Sequence, residues 1–280
     1  GKVYAAVEKE PFEVSAAIEE HYRPTSSGGV LPETTTGAIV AIADKIDSIC
    51  GCFSVGLFPT GAADPYALRR QAIGIVNIMQ KKGMTFSLKD LIAESIAQFT
   101  RQATEDIGES ADKVYTFIAN RVSRMLEEEG YSKDVVGAVA DISIDNIPEV
   151  WKRAEAMNSL KALPDFEPLA AAFKRVVNII KKAETAESST LDESLFVENS
   201  EKTLFSELKT VEEKVETELE KGAFYKALGH IATLRGPVDK FFEDVLVMAE
   251  DPKIRQNRLA LLKRVVDLFE KIADFSKISA

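Results

Sequence analysis

The chain has 280 residues, of which 45% are hydrophobic and 29% charged, with a formal net charge of −10. That composition is ordinary for a globular protein, and a mean hydropathy of −0.07 without a long apolar run argues against a membrane span. A pI near 5.0 argues against indiscriminate binding to DNA or RNA, so an RNA-binding role requires a local basic face on an acidic body. The length accommodates two domains. The opening residues, GKVYAAVEKE, show neither a signal-peptide core nor a starting Met and read as the beginning of a fragment. Cys50 and Cys52 are separated by one residue. Cysteines that close rarely bridge, and no further ligands complete a zinc set, so reduced thiols and a cytoplasmic location are expected.

In chain order, Val14 to Tyr22 reads as a helix with Val14, Ala17, Ile18 and His21 on one side, stopped by Pro24. A Gly28-Gly29 and Pro32 loop follows, then a nearly all-apolar helix, Ala38 to Ile49, expected to be buried. Asp64-Pro65 reads as a helix start, with the aspartate as cap and the proline at the first helical position. That helix ends near Gly83, a left-handed cap. Ser87 with Asp90 opens a helix striped by Leu88, Leu91, Ile92, Ile96 and Phe99. Ser110, Ser132 and Pro148 open three more, and Leu169 to Lys182 follows a break bracketed by Pro164 and Pro168. Residues 185–190, TAESST, form the clearest polar connector. Beyond it, Ser200 to Lys221 carries a narrow seam of Leu204, Leu208, Val211, Val215 and Leu219. Phe224 to Leu234, Val238 to Met248 and Pro252 to Asp274 complete an all-α reading without sequence repeats.

The most informative stretch runs from Ala43 to Arg70. It contains Ala43, Asp44, Lys45 and Asp47 on a helix, then Phe53, Gly56, Pro59, Thr60 and Gly61 in a loop, then Asp64, Pro65, Tyr66, Ala67, Leu68, Arg69 and Arg70. This ordered string resembles the beta subunit of the bacterial alpha/beta glycyl-tRNA synthetases. The likeness extends along the whole chain and is densest over residues 20–74 and 237–278. Ala62-Ala63 departs from the serine- and lysine-containing residues usual there. Lys174 to Ile179, KRVVNI, and Pro237 to Leu262 resemble the anticodon-binding helical bundle shared with arginyl-tRNA synthetases.

The resemblance implies an HD-like helical domain over residues 1–163 and a DALR-type anticodon-binding bundle over 164–280, although the connector near residue 187 is an alternative boundary. It implies a tRNA-binding part of glycine–tRNA ligase, supporting ATP-dependent attachment of glycine by recognising the anticodon and the acceptor arm. The partners would be the alpha subunit and glycine tRNA, with no DNA and no membrane. ATP and magnesium would act at the alpha subunit, leaving this chain without a cofactor or a catalytic residue. Nothing in the sequence resembles a phosphate-cradling glycine loop, a nucleophile elbow or a catalytic triad.

Candidate RNA contacts are Lys174, Arg175 and Asn178 on one helix and Arg255, Gln256, Asn257 and Arg258 on the last, near Lys253, Lys263 and Arg264. Tandem basic residues on helices are commonly solvated faces, and Asn257 or Arg258 can equally fasten the Asp251-Pro252 turn. Arg69 and Arg70 either contact phosphate or pair with Asp44, Asp47 or Asp64. Phe241, Phe242, Val245, Leu246 and Met248 read as core rather than as a stacking platform. His21 and Asp44 occupy positions similar to metal ligands of HD-type phosphohydrolases, but the defining His-Asp dyad is absent. They read as vestigial, holding helices together by hydrogen bonds. A working HD-type metal-dependent phosphohydrolase is the alternative function, and a scaffold that binds only the alpha subunit is a third.

Overall fold

A computed structural model describes residues 1–183 and 191–279, so the connector at 185–190 lies outside the described residues. Thirteen α-helices are formed among these residues, with no strand beyond an isolated bridge between Thr60 and Ala63. No helix of the described residues is long and apolar enough to cross a membrane. Two compact units are present: Gly1–Glu129 with Ser143–Trp151, and Gly130–Ile142 with the chain from Lys152 onward.

The first unit contains α1 (Lys2–Val7), α2 (Phe12–Glu20), α3 (Thr35–Ser54), α4 (Leu68–Lys82), α5 (Leu88–Ala97) and α6 (Ile107–Glu128). α3 is its hub and packs against α2, α4, α5 and α6. Ala38, Ala41, Ile42, Ile46, Ile49 and Phe53 of α3 are buried, and Phe53 meets Phe117 of α6 at a ring distance of 5.2 Å. The expected all-round burial of α3 does not hold, because Ile39 and Val40 are exposed on its far side. On α2 the expected face is also displaced. Val14 and Ile18 are exposed, while Ser15, Ala16, Ala17 and Glu20 are buried. Small side chains permit close approach there, and the Glu20 carboxylate is satisfied by the backbone N–H groups of Glu33 and Thr34 (both 3.1 Å) and the Thr34 hydroxyl (2.6 Å).

The helix expected to begin at Asp64-Pro65 begins at Leu68 instead. Ala67 adopts a left-handed conformation (φ 54°), which interrupts the chain between proline and helix. Asp64 still caps α4, reaching forward to the N–H groups of Leu68 (2.8 Å) and Arg69 (3.0 Å). Gly83 ends the helix as expected (φ 65°). Ser87 caps α5, and its hydroxyl also donates to Asp145, whose carboxylate accepts from the Lys89 N–H. α6 starts at Ile107 under an Asp106 cap, three residues before the expected Ser110.

The second unit contains α7 (Lys133–Ala140), the latter part of α8 (Ile147–Lys161), α9 (Phe166–Lys182), α10 (Asn199–Glu220), α11 (Phe224–Ala232), α12 (Arg235–Asp244) and α13 (Pro252–Glu270). This division differs from the sequence reading of 1–163 and 164–280. Residues 130–142 and 152–163 belong with the second unit because they are fastened there. Asp134 pairs with Lys161 at 2.5 Å and accepts from the Ser279 N–H, and the Ala138 carbonyl accepts from the Asp274 N–H at 2.8 Å. Phe173 of α9 stacks on Phe269 of α13 at 4.0 Å and meets Phe275 edge-on, forming the aromatic centre of this unit. Leu204, Leu208, Val211 and Val215 of α10 are buried along the expected seam. Here an aspartate–proline pair does begin a helix. Asp251 accepts from the Lys253 N–H, and Pro252 is the first residue of α13.

Candidate nucleic-acid interface

On α9, Lys174 is half-buried, while Arg175 and Asn178 are exposed. Spacings of three and four residues place them on one helical face. The Arg175 guanidinium lies 4.0 Å from the centre of the Phe242 ring, which holds this charge at the surface without neutralising it. The α13 candidates divide. Gln256 is exposed, and Arg255 donates to the Ala249 carbonyl at 3.1 Å.

Asn257 and Arg258 are 3% and 7% exposed. This corrects the expectation that they offer hydrogen bonds to RNA, because both are engaged inside the protein. Asn257 accepts from the Asp192 N–H and donates to the Asp192 carbonyl. Arg258 donates to both carboxylate oxygens of Glu201 and to the Leu246 carbonyl. Burial works to raise the Glu201 pKa, but Arg258 and the N–H groups of Glu198 and Val197 prevail and hold it below the ordinary value. Lys263 pairs with Asp267 and Arg264 with Glu212, so those charges are largely balanced. The expectation of core positions holds for Phe241 and Val245, but Leu246 and Met248 are exposed.

In the first unit, Asp44, Lys45, Ser48, Arg70 and Gln71 line a cleft of about 330 Å³ with Tyr22, Pro24 and Thr25. His21 is directed elsewhere. Its Nδ1 is 2.9 Å from the Ile18 carbonyl, and its ring packs on Tyr22. The hydrogen bond between helices expected of His21 is therefore not made, since its partner lies three residues back at the end of its own helix. The helices are tied instead by Lys45, which is 4% exposed and donates to the backbone carbonyls of His21 and Ala41. Burial pulls the Lys45 pKa below the ordinary lysine value, against the nearby Asp44 charge. Among the described residues no three His, Cys, Asp or Glu side chains come together as a metal-binding group. His21 and Asp44 alone do not fit a divalent ion.

Arg69 does not take up the ion pair offered as its alternative role, because its guanidinium donates to the Gly61 carbonyl at 2.8 Å and Asp64 is engaged by backbone N–H groups. Arg69 lines a second cleft, of about 530 Å³, with Ser27, Ile73, Asn120, Arg121, Arg124, Met125 and Glu128. Sequence reasoning passed over Asn120, Arg121 and Arg124. The signal was the three-residue spacing of two arginines on a helix, visible only as a common surface pattern.

Comparison with known proteins accords with this helical architecture. Residues 169–280 match the DALR anticodon binding domain, which identifies the second unit's principal part as a member of that class of helical domain. Residues 1–141 match the family described as glycyl-tRNA synthetase beta subunit, and the chain belongs to that family. The beta subunit of glycine–tRNA ligase from Desulfatibacillum aliphaticivorans is 48% identical over 285 residues, covering 100% of this chain and 40% of the relative. The Desulforapulum autotrophicum beta subunit is 48% identical over 278 residues, covering 99% of this chain and 40% of the relative. That of Geotalea daltonii is 46% identical over 280 residues, covering 100% and 40%. The chain thus spans about 40% of the length of these relatives.

Proposed function

We propose that this chain is the tRNA-recognising part of a glycine–tRNA ligase beta subunit and that it works in the cytoplasm. The observation that carries this reading is the match of residues 169–280 to an anticodon-binding domain, on which α9 presents Lys174, Arg175 and Asn178 as one polar, basic face. In this reading, the second unit takes the anticodon region of glycine tRNA, and the first unit forms an HD-like scaffold for the acceptor arm or the alpha subunit. Anticodon bases are unstacked and are read by stacking and by hydrogen bonds to their edges. Asn178 and Gln256 supply amide groups suited to base edges, and Lys174 and Arg175 supply charge for phosphates. ATP and magnesium act at the alpha subunit, which activates glycine. Glycine has no side chain to grip, so accurate charging depends on the tRNA, and that recognition is the contribution of this chain.

The test uses the complete alpha/beta enzyme carrying Lys174→Ala, Arg175→Ala and Asn178→Ala together. The expected result is a rise of roughly tenfold or more in the KM for glycine tRNA, with glycine-dependent ATP–pyrophosphate exchange unchanged. An unchanged KM would overturn the assignment of this face. Loss of the exchange reaction would overturn the division of labour between the subunits.

A further inference from the structure

The geometry points to a second RNA contact in the first unit: the cleft lined by Arg69 of α4 and Asn120, Arg121 and Arg124 of α6 binds backbone phosphates of an RNA strand. This rests on the reading of the chain as a tRNA-binding protein, and it adds Asn120, Arg121 and Arg124, to which that reading assigns no role, beside the Arg69 already considered for phosphate.

Two of the three arginines are fixed by bonds that orient them without cancelling charge. Arg69 donates to the Gly61 carbonyl at 2.8 Å. Arg121 donates to the Phe117 carbonyl at 2.8 Å, and its guanidinium lies 3.9 Å from the centre of the Phe117 ring. Arg124 pairs with Glu128 at 3.1 Å, in a bridge whose partners are 80% and 67% exposed. An ion pair that exposed is weak and readily exchanged for another anion. The charges also strain one another. Burial, and then Arg69 and Arg124, pull the Arg121 pKa below its ordinary value, with Asp64 acting in the opposite sense. A guanidinium stays charged under such stress, so the repulsion persists until an anion enters. In a chain of net charge −10, such a concentration of positive charge is a local exception.

The arrangement suits a strand better than a small nucleotide. Arg121 and Arg124 are three residues apart, about 4.5 Å along the helix axis, and Arg69 approaches from another helix. The charge is therefore spread along the cleft rather than focused on one point. Ile73 and Met125 are the apolar lining residues, and no aromatic ring lines the cleft to stack a base. Planar guanidinium groups with an amide beside them match phosphate and ribose oxygens, which position an RNA without reading its sequence.

The experiment measures binding of the complete alpha/beta enzyme to glycine tRNA and to one non-cognate tRNA across a salt series. Three variants are compared with the unaltered enzyme: Arg121→Gln, Arg124→Gln and Glu128→Gln. Arg124 is highly exposed, so its substitution leaves the fold intact even if Arg121→Gln loosens α6. Each arginine variant is expected to weaken binding roughly threefold to tenfold for both tRNAs and to reduce the slope of log affinity against log salt by about one. Glu128→Gln, which removes the carboxylate lining the cleft, is expected to tighten binding roughly twofold. If the unaltered enzyme binds tRNA and both arginine variants keep its affinity and salt slope, the cleft assignment is overturned and the proposed function survives. If the unaltered enzyme binds neither tRNA at low salt, the proposed function itself fails and the cleft assignment falls with it.

Discussion

The guanidinium of Arg258 sits 2.9 Å from the carboxylate of Glu201 while also holding the Leu246 carbonyl, joining α13 to the start of α10 and to the loop after α12. Both charged side chains are almost fully buried. Removing one partner leaves an uncompensated buried charge, so Arg258→Ala is expected to cost about 3–5 kcal/mol, while Gln256→Ala on the neighbouring exposed position stays within about 0.5 kcal/mol. Urea denaturation followed by circular dichroism distinguishes these outcomes. Equal stability of the two variants would show the pair to be dispensable.

Acid should find the same pair. The folded pKa of Glu201 is depressed, so its contribution is present above the unfolded value near 4.5 and is lost as pH falls through the folded value. Asp134 behaves alike. Burial opposes ionisation, but Lys161, the Ser132 hydroxyl and the Ser279 N–H outweigh it and hold the carboxyl far below the ordinary aspartate value. Thermal midpoints measured from pH 7 to pH 3 should fall steeply below about pH 4.5, and an Asp134→Asn variant should show a shallower fall from a lower starting stability.

Asp64 and Asp145 are expected to matter as caps. Asp64→Ala leaves the first N–H groups of α4 without their acceptor, and Asp145→Ala does the same at α5. Each should cost about 1 kcal/mol. Amide exchange at Leu68 and Arg69 should accelerate in the first variant, and exchange at Lys89 in the second. Because Arg69 lines the basic cleft, the Asp64 variant also tests how far the cleft depends on a well-formed helix start.

The two cysteines should separate chemically. Burial pushes the Cys50 thiol up to about 11, with the nearby Ser95 hydroxyl opposing the rise and the Asp47 charge adding to it. Cys52 is raised as well, chiefly by burial and then by Asp64, but it is half-buried rather than enclosed. Iodoacetamide at pH 8 is expected to label Cys52 slowly and Cys50 only after denaturation, as read by peptide mass spectrometry. Equal labelling of the folded protein would contradict the burial of Cys50.

Helix positions were legible because periodic apolar residues and polar caps act locally, as at Ser87 and along the α10 seam. What failed was non-local. Val14 and Ile18 look like a core stripe with Ala17, but the adjoining surface accepts Ala17 together with Ser15, Ala16 and the Glu20 carboxylate and leaves Val14 and Ile18 exposed. Lys45 is buried although charged, because two backbone carbonyls receive its ammonium, and neither carbonyl is identifiable from the sequence. Asp64-Pro65 and Asp251-Pro252 look equivalent, yet only the second starts its helix directly. The first is separated from its helix by the left-handed Ala67. Of the α13 candidates, Asn257 and Arg258 are chemically suited to RNA but engaged internally. Arg121 and Arg124 join Arg69 only through the fold, which places all three along one cleft.

Gly37 lies where Glu20 crosses to Thr34. A Cβ there would press into the Glu20 carboxylate, lie 2.8 Å from the Glu20 Cβ, and crowd the Thr34 hydroxyl at 2.9 Å. Single changes at any of these three positions disturb the other two, since enlarging residue 37 evicts the acid and removing the acid strands the donors of residues 33 and 34. The energetics of positions 20, 34 and 37 are therefore coupled, and substitutions among them are expected to be non-additive.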